Sequence, residues 1–207
     1  MSYCSRRAGA VFIVSDAESI DTMLTPSFEL EMAPLYPLLH PSVFEPHYLE
    51  TLIKGESLLL ASIIVIAARY SKILADNRGD AVHRKLSQWV RQRILAIVDG
   101  EPSLRTISSV EALLLLSEWP MLPMSRAGAD SSCDPMSEEA LLLKPSLRYD
   151  AYSWAYIGMA VRLAQELGLH DMVNLAITKT NVNSWKQNRM LKTWVYAYNA
   201  DRQCVSD

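Results

Sequence analysis

The sequence predicts an all-α protein, an irregular bundle of about six to seven helices. Only 7 of its 207 residues are glycine, fewer than a sheet with many tight turns requires. Half of the residues are hydrophobic and 21% are charged, as in ordinary globular proteins. Apolar residues recur at helical spacing in several segments, most clearly in residues 151–167. Together these observations favour one helical domain.

Net charge, cysteine spacing and apolar run length exclude several kinds of protein. The formal net charge is −3, so the chain has no overall electrostatic attraction to nucleic acid or acidic membranes. Cys4, Cys133 and Cys204 are far apart, which argues against a disulfide framework or a clustered zinc site. The longest uncharged run, residues 57–68, is too short to cross a bilayer core of about 30 Å. We therefore expect no membrane partner.

The sequence predicts that the helical domain begins at residue 34. Residues 1–33 show no sustained apolar period and are expected to be poorly ordered, whereas residues 34–207 are expected to form the helical domain. Prolines exclude a long helix near its start, so residues 36–44 are predicted to be an extended segment. A short helix is predicted at residues 47–54.

Two longer helices follow. Ser57 is predicted to cap an apolar helix that ends near Ala75. Residues 81–99 predict an amphipathic helix that Gly100 closes. Its apolar side consists of Val82, Leu86, Trp89, Val90, Ile94, Ile97 and Val98. The opposite, basic side, within residues 84–93, is interpreted as a solvated face rather than a phosphate-binding surface.

The next helix is predicted at residues 108–119. Ser108 and Glu111 match a capping box, in which a hydroxyl and a carboxylate bond each other's backbone amides. Residues 120–149 are rich in Pro, Ser, Gly and Asp and are predicted to be a flexible surface insertion. A last helix, residues 184–205, is predicted to place these apolar residues on one side: Leu191, Trp194, Val195, Tyr198 and Val205.

Residues 151–167 predict a helix with apolar residues on two stripes. One stripe holds Trp154, Ile157, Gly158, Val161 and Ala164, and the other holds Tyr152, Tyr156, Met159, Leu163 and Leu167. Asp150 is predicted to be the N-cap, and Gly168 the left-handed residue after the last turn. A helix that is apolar on most of its circumference should be enclosed by other helices. We therefore expect Tyr152 and Trp154 to be buried. Exposure of these two side chains would count against both the predicted architecture and the function inferred below.

No residue pattern predicts catalysis, cofactor binding or a metal site. The sequence has no glycine-rich phosphate loop, no nucleophile elbow and no His-Glu-x-x-His. The histidines are scattered, and we expect them to be structural or solvent-facing: His40, His47, His83 and His170. Asp201 and Arg202 are adjacent on a helix and cannot face each other, so each is expected to pair with a neighbouring helix.

Three segments, taken in order, resemble the fungal-specific transcription factor domain, the middle homology region of fungal regulators that carry a binuclear zinc cluster. The first is residues 36–44 leading into 57–69, and the second is SVEALLLLSEW at 109–119. The third pairs WAYIGMAVRLAQELGLH at 154–170 with WVYAYNADR at 194–202. The matching motif positions are Trp154, Gly158, Arg162, Leu167, Gly168, His170, Trp194, Tyr198, Asp201 and Arg202.

The resemblance implies a non-catalytic regulatory and interaction module that acts in the nucleus on transcription by RNA polymerase II. It implies transcriptional regulatory proteins or self-association as partners, and in some members a small-molecule inducer. DNA contact is implied only through the family's zinc cluster. That cluster is absent here, so no cofactor is expected in this chain.

The sequence departs from the family pattern in two ways, because Val195 stands where the family has a second tryptophan and the six-cysteine zinc cluster is absent. Related regulators also continue well past the Asp201-Arg202 pair, whereas this chain ends five residues after Arg202, so we expect an incomplete member. A domain incomplete at its C-terminus would expose an apolar patch around Trp194 and Tyr198, so we expect the isolated chain to self-associate or to be partly molten.

Two other functions are considered. A helical scaffold that binds peptides would require internal similarity at a fixed period, and none is evident. A small helical enzyme would have its site among Trp89, Trp154 and Trp194.

Overall fold

The computed structural model describes residues 28–30, 33–70, 77–121, 145–178 and 184–205. In these segments all regular structure is helical, which confirms the predicted all-α class. The α-helices are α1 (Pro46–Gly55), α2 (Ser57–Tyr70), α3 (Asn77–Val98), α4 (Ile107–Glu118), α5 (Pro145–Glu166), α6 (Asp171–Thr178) and α7 (Trp185–Val205). Two single 3₁₀ turns, Pro41–Val43 and Pro102–Leu104, precede α1 and α4.

The centre of the bundle is formed by α2 and α4, which pack against each other. Residues 58–68 of α2 are all buried, and so are residues 108–116 of α4. Complete burial of a large aliphatic side chain contributes about 1.5–3 kcal/mol, and seven of the eleven largest fully buried side chains in the described part of the chain belong to these two helices. Around them, α3 packs on α2, α5 packs on α4, and α7 packs on α4, α5 and α6.

The predicted amphipathic character of α3 is confirmed, with two polar additions. Its buried side contains Leu86, Val90, Ile94 and Ile97, but also His83 and Ser87. The His83 Nδ1 atom lies 3.1 Å from the Val65 carbonyl oxygen, which gives the buried ring a partner. Trp89 is half-buried and Val98 is exposed, while the side chain of Val82 lies outside the described residues. Gly100 ends the helix with φ +81°, as predicted.

The capping box predicted for α4 is wrong. Thr106 is the N-cap, and its Oγ1 accepts a hydrogen bond of 3.3 Å from the backbone N–H of Ser109. Glu111 instead points into the core, where its carboxylate meets α7. In α2, Ser57 is the first helical residue, and residues 71–75 of the predicted helix lie outside the described residues.

The N-cap predicted at Asp150 is also wrong, because α5 begins at Pro145. Proline suits the first helical turn, where its missing N–H has no intrahelical partner. The end of the predicted 120–149 insertion is therefore helical, and residues 122–144 lie outside the described residues. Gly168 has φ +70° after the end of α5, as predicted.

The segment before α1 is not extended as predicted. It consists of turns and one 3₁₀ turn, in which His40 Nδ1 accepts a 3.2 Å hydrogen bond from the backbone N–H of Ser42. Leu38, Leu39 and Val43 are buried in this segment. Phe28, within the predicted 1–33 tail, is fully buried and its ring contacts Phe44 and Trp119.

One property of the described helices concerns membranes. None of them alone has both the length and the apolar composition that crossing a bilayer requires. Only Pro46–Gly55 and Ser57–Arg69 taken together do, and these two segments are bent by 110° relative to each other.

Candidate functional site

The last helix, α7, faces the core with polar and small side chains. Its buried positions are Arg189, Thr193 and Ala197, spaced four residues apart along one side. The apolar side predicted for this helix is not the core-facing side and is partly exposed, as expected around Trp194 and Tyr198. Leu191 and Trp194 are only half-buried, and Val195 and Tyr198 are exposed.

The guanidinium of Arg189 uses all five of its N–H donors. Nε and Nη2 donate to the two oxygens of Glu111 over 2.9 and 2.6 Å. Nη1 and Nη2 donate to the two oxygens of Glu56 over 3.0 and 2.8 Å. Nη1 also donates to Tyr48 Oη over 2.6 Å. Each carboxylate is thus bound bidentately, the geometry for which the planar arginine side chain is suited.

Two hydroxyl groups complete the network. Tyr48 Oη donates to Glu56 Oε1 over 2.7 Å. Thr193 Oγ1 lies 3.1 Å from Glu111 Oε1 and 2.8 Å from the Arg189 carbonyl oxygen, within donating distance of both. We call Tyr48, Glu56, Glu111, Arg189 and Thr193 the Arg189 cluster.

The Arg189 cluster joins distant parts of the chain. Tyr48 lies on α1, Glu56 is the single residue between α1 and α2, and Glu111 lies on α4. Glu56 is held in place because its backbone N–H donates to carbonyls in the last turn of α1. One side chain of α7 therefore ties four elements together.

The cluster is charged and almost fully withdrawn from water. The exposed fraction of the side chain is 0% for Glu111, 6% for Arg189 and 17% for Glu56. Burial raises the pKa of the Glu111 carboxyl, against the lowering effect of Arg189 and Thr193. Burial, followed by the hydrogen bond to Glu56, raises the pKa of Tyr48 to about 12. Desolvation lowers the pKa of Arg189, but its bonds to Glu111 and Glu56 outweigh this, and the group stays charged.

The geometry of the cluster fits a structural clasp rather than a reaction centre. A guanidinium whose donors are all engaged has none left for a substrate. Breaking one partner of a buried charge pair costs about 3–5 kcal/mol, because the other charge stays buried without compensation. The cluster therefore determines whether α7 sits on the core in this position.

The structure brings four of the predicted motif positions together on the surface. The ring centroids of His170 and Trp194 are 5.8 Å apart, and those of Trp194 and Tyr198 are 6.3 Å apart. Arg202 continues this row, with Nε 3.2 Å from Tyr198 Oη and Cζ 5.2 Å from the ring centroid. This contact of Arg202 lies on its own helix, and the expected pairing of Asp201 and Arg202 with a neighbouring helix stays a prediction. Asp201 is half-buried beside it.

The expected burial of Tyr152 and Trp154 is wrong. Tyr152 is 47% exposed and Trp154 is 67% exposed. The reason is that α5 buries only one side, formed by Tyr156, Ile157, Ala160, Leu163 and Ala164. The all-α architecture does not depend on these two side chains, because the buried side of α5, drawn from both predicted stripes, packs it into the bundle.

The remaining motif positions are not gathered at one place. Arg162 is exposed and Leu167 is half-buried. At Gly158 a Cβ atom would meet nothing within 4 Å, so close packing does not require glycine there. The roles of the ten motif positions thus remain predictions.

The three tryptophans of the enzyme alternative have different surroundings. Trp89 stacks with Arg93, whose Cζ lies 5.7 Å from the ring centroid. Trp194 contacts His170 and Tyr198, and Trp154 faces solvent. Within the described part of the chain, no three His, Cys, Asp or Glu side chains are grouped so that they could hold a metal ion.

Sequence reasoning missed the Arg189 cluster. One signal was available, because Glu111 is the only charged residue in the first eleven residues of ISSVEALLLLSE, the sequence of α4. A lone carboxylate in an apolar helix requires a buried partner. Nothing local identifies that partner as Arg189, which lies 78 residues away.

The comparison with known families decides the assignment. The model of the fungal-specific transcription factor domain matches residues 27–207. The chain belongs to this family. The match includes the Arg189 cluster and all ten motif positions, and it confirms the resemblance noted in the sequence.

One relative of this transcription factor domain is the transcription factor hmgR of Aspergillus fumigatus. The two are 27% identical over 149 residues, an alignment that covers 58% of this chain and 20% of hmgR. The chain therefore spans about one fifth of the length of that relative. No solved structure matches the chain.

Proposed function

We propose that the chain is a regulatory and interaction module of a fungal transcription factor. In this proposal it modulates transcription by RNA polymerase II in the nucleus and carries out no catalysis of its own. The observation that carries the proposal is the family match over residues 27–207. The similarity to a protein named as a transcription factor supports it.

DNA reading is not assigned to this chain. A binuclear zinc cluster needs several closely spaced thiolates, and the three cysteines of the chain are far apart. The proposal therefore places DNA contact in a zinc cluster supplied separately, with this domain adjusting the activity of the bound regulator. A small-molecule inducer is one candidate for the signal that it answers.

Exposed apolar side chains support a role in protein contacts. Tyr152 and Trp154 on α5, and Val195 and Tyr198 on α7, present large apolar groups to solvent. Apolar surface of this kind is typical of interaction sites when it is contiguous. Regulatory proteins or a second copy of the chain are the partners that we propose.

A reporter assay tests the proposal. The chain is fused to an unrelated DNA-binding domain, and transcription from the cognate promoter is compared with that of the DNA-binding domain alone. We expect the fusion to change the output, and Trp154→Ser to alter that change at equal protein level. Arg105→Ala is the matched control, because it removes only a surface ion pair with Glu166.

Microscopy of a fluorescent fusion tests the proposed location. Unchanged reporter output, with and without candidate inducers, would contradict the regulatory role, and exclusion from the nucleus would contradict the location.

A further inference from the structure

The most deeply buried large side chain in the described part of α7 is charged. Within the described part of α7, only Arg189, Thr193 and Ala197 are buried. Its large apolar side chains, among them Trp185, Met190 and Trp194, are packed against the core only in part. Removing the guanidinium therefore removes the main specific attachment of this helix.

The part of the cluster outside α7 forms a preorganised cation site. Glu56 and Glu111 both approach the same nitrogen, Nη2 of Arg189, at 2.8 and 2.6 Å. Tyr48 Oη accepts from the neighbouring Nη1 and is oriented by its own bond to Glu56. Two carboxylates that converge on one point in a buried place require a cation between them.

We propose that Tyr48, Glu56 and Glu111 form a guanidinium-binding site that Arg189 fills in cis, with α7 as its latch. When α7 undocks, the same site accepts a small planar cation from solution. When Arg189 fills the site again, α7 returns to the core. The latch is a property of the fold and does not rest on the proposed function.

The shape of the site selects a planar cation over a compact one. Four of the five donated bonds form two bidentate pairs with carboxylates, and the fifth reaches a phenol oxygen. An ammonium group has only three donors, arranged around a point charge, and cannot reproduce this pattern. Lys192, on the same helix, is directed elsewhere and lies 3.3 Å from the Leu39 carbonyl oxygen.

Chemical rescue of Arg189→Ala tests the proposal. Amide hydrogen exchange of the full chain is measured for α7, α2 and α4, with millimolar guanidinium or with the same concentration of urea. Urea has the shape of guanidinium without its charge. Salt is matched with sodium chloride, since ionic strength alone changes charge interactions.

We expect the variant to exchange α7 amides at least about tenfold faster than the natural chain, while α2 and α4 stay protected. Guanidinium should bring this exchange back towards the natural rate, and urea should not. Arg105→Ala is the matched control for loss of an arginine, and it should leave exchange in α7 unchanged.

A second variant keeps the test decisive if Arg189→Ala does not fold. In Arg189→Met combined with Glu56→Gln and Glu111→Leu, uncharged groups replace all three charges of the cluster, a change that is often neutral for stability. We expect α7 of this variant to remain protected and to be insensitive to guanidinium. The natural chain, in contrast, should show faster α7 exchange as millimolar guanidinium competes with Arg189.

Two results would overturn the proposal. One is equal action of guanidinium and urea on Arg189→Ala or, if that variant does not fold, on the natural chain. The other is that the amides of α7 exchange at the same rate as those of α2 and α4 under all conditions. That result would show that α7 has no separate undocking step.

Discussion

Helices α2 and α7 are attached to the same bundle by different physical means. Every residue from Leu58 to Ala68 of α2 is buried, and this run contains Leu, Ile, Val, Ala and one serine. The hydroxyl of that serine, Ser62, donates a 2.8 Å hydrogen bond to the Leu58 carbonyl oxygen. Helix α7 has three buried residues in its described part, and the largest is an arginine between two carboxylates.

The difference concerns how attachment is distributed along a helix. Apolar burial is non-directional and roughly proportional to area, so in α2 it is shared among many side chains. Directional bonds to one guanidinium concentrate the attachment of α7 at Arg189, where desolvation offsets much of the electrostatic gain. We expect α2 to tolerate changes of shape and α7 to fail when a single charged partner is removed.

The largest effect is expected from a charge placed in α2. Ile63→Asp puts a carboxylate at a position with no exposure to solvent. The expected loss exceeds about 5 kcal/mol, comparable with the whole stability of a domain, so the chain should unfold. Far-ultraviolet circular dichroism and gel filtration measure this. The control, Ile63→Val, should cost only about 0.5–1.5 kcal/mol and keep a cooperative transition. A folded Ile63→Asp would mean that α2 is not the apolar centre.

A neutral substitution in the Arg189 cluster is expected to have the next largest effect. Glu111→Gln keeps the size of the side chain and weakens its charged hydrogen bonds, while Glu56 still compensates Arg189, so the expected cost is about 1.5–3 kcal/mol. Urea denaturation gives the total loss in free energy of unfolding. Peptide-resolved hydrogen exchange should show that protection is lost first in α7. A cost below about 1 kcal/mol would place the attachment of α7 elsewhere.

Alkaline pH tests the buried phenols. The pKa of Tyr48 is raised to about 12, and burial also raises that of Tyr36. In the unfolded chain a tyrosine ionises near about pH 10, so between the two values the folded state retains protons that the unfolded state has released. This contribution to stability is present below about pH 10 and is lost as pH rises towards 12.

Tyr48→Phe separates the phenol of the cluster from that of Tyr36. At neutral pH the variant should lose about 1.5 kcal/mol, because one hydroxyl bonded to charged groups is missing. Its stability should fall less steeply above about pH 10 than that of the natural chain. Denaturation curves at several pH values, with phenolate absorbance for titration, check both statements. An unchanged slope would show that Tyr48 does not titrate as its burial requires.

Alanine substitutions at two glycines, one on α5 and one just after it, should change the stability in opposite directions. Gly168 has φ +70°, a conformation in which a Cβ costs about 1 kcal/mol, so Gly168→Ala should destabilise. Gly158 is helical with open space around it, so Gly158→Ala should stabilise by about 0.5–1 kcal/mol. Thermal or chemical denaturation of both variants gives the signs. Destabilisation by Gly158→Ala would indicate that a partner covers this position in solution.

The smallest effect on stability is expected on the exposed side of α5. Trp154→Ser should change the free energy of unfolding by less than about 0.5 kcal/mol, since the ring faces solvent. It should also reduce the self-association predicted for the chain, measured by sedimentation at several concentrations. A large loss of stability would show that Trp154 is enclosed after all, as first expected from the sequence.

The apolar pattern predicted the parts of the fold that follow from local period and helix ends. The alternation of buried and exposed positions in α3 and the glycines that end α3 and α5 were predictable, because each depends on adjacent residues. The two apolar stripes of α5 led to the wrong prediction that Tyr152 and Trp154 are buried. Periodicity shows which residues could be buried but not how many neighbouring helices cover them. Thr106 was overlooked because Ser108 and Glu111 match a cap equally well in sequence.

The Arg189 cluster was beyond local reasoning for a different reason. Its bonds join residues separated by 78, 133 and 141 positions, and their pairing is fixed only when α1, α4 and α7 meet. A charged residue on a helix is usually solvated, so nothing in the sequence of α7 singled out Arg189 as a buried residue.

The most direct test of the central claim is a double-mutant cycle between Glu111 and Arg189. Unfolding free energies are measured for the natural chain, Glu111→Leu, Arg189→Met and the double variant. If these two groups dock α7 as a buried pair, Arg189→Met should lose about 3–5 kcal/mol, and the double variant should lose clearly less than the sum of the two single losses. Strictly additive losses, within about 0.5 kcal/mol, would contradict the claim that this pair holds α7 on the core.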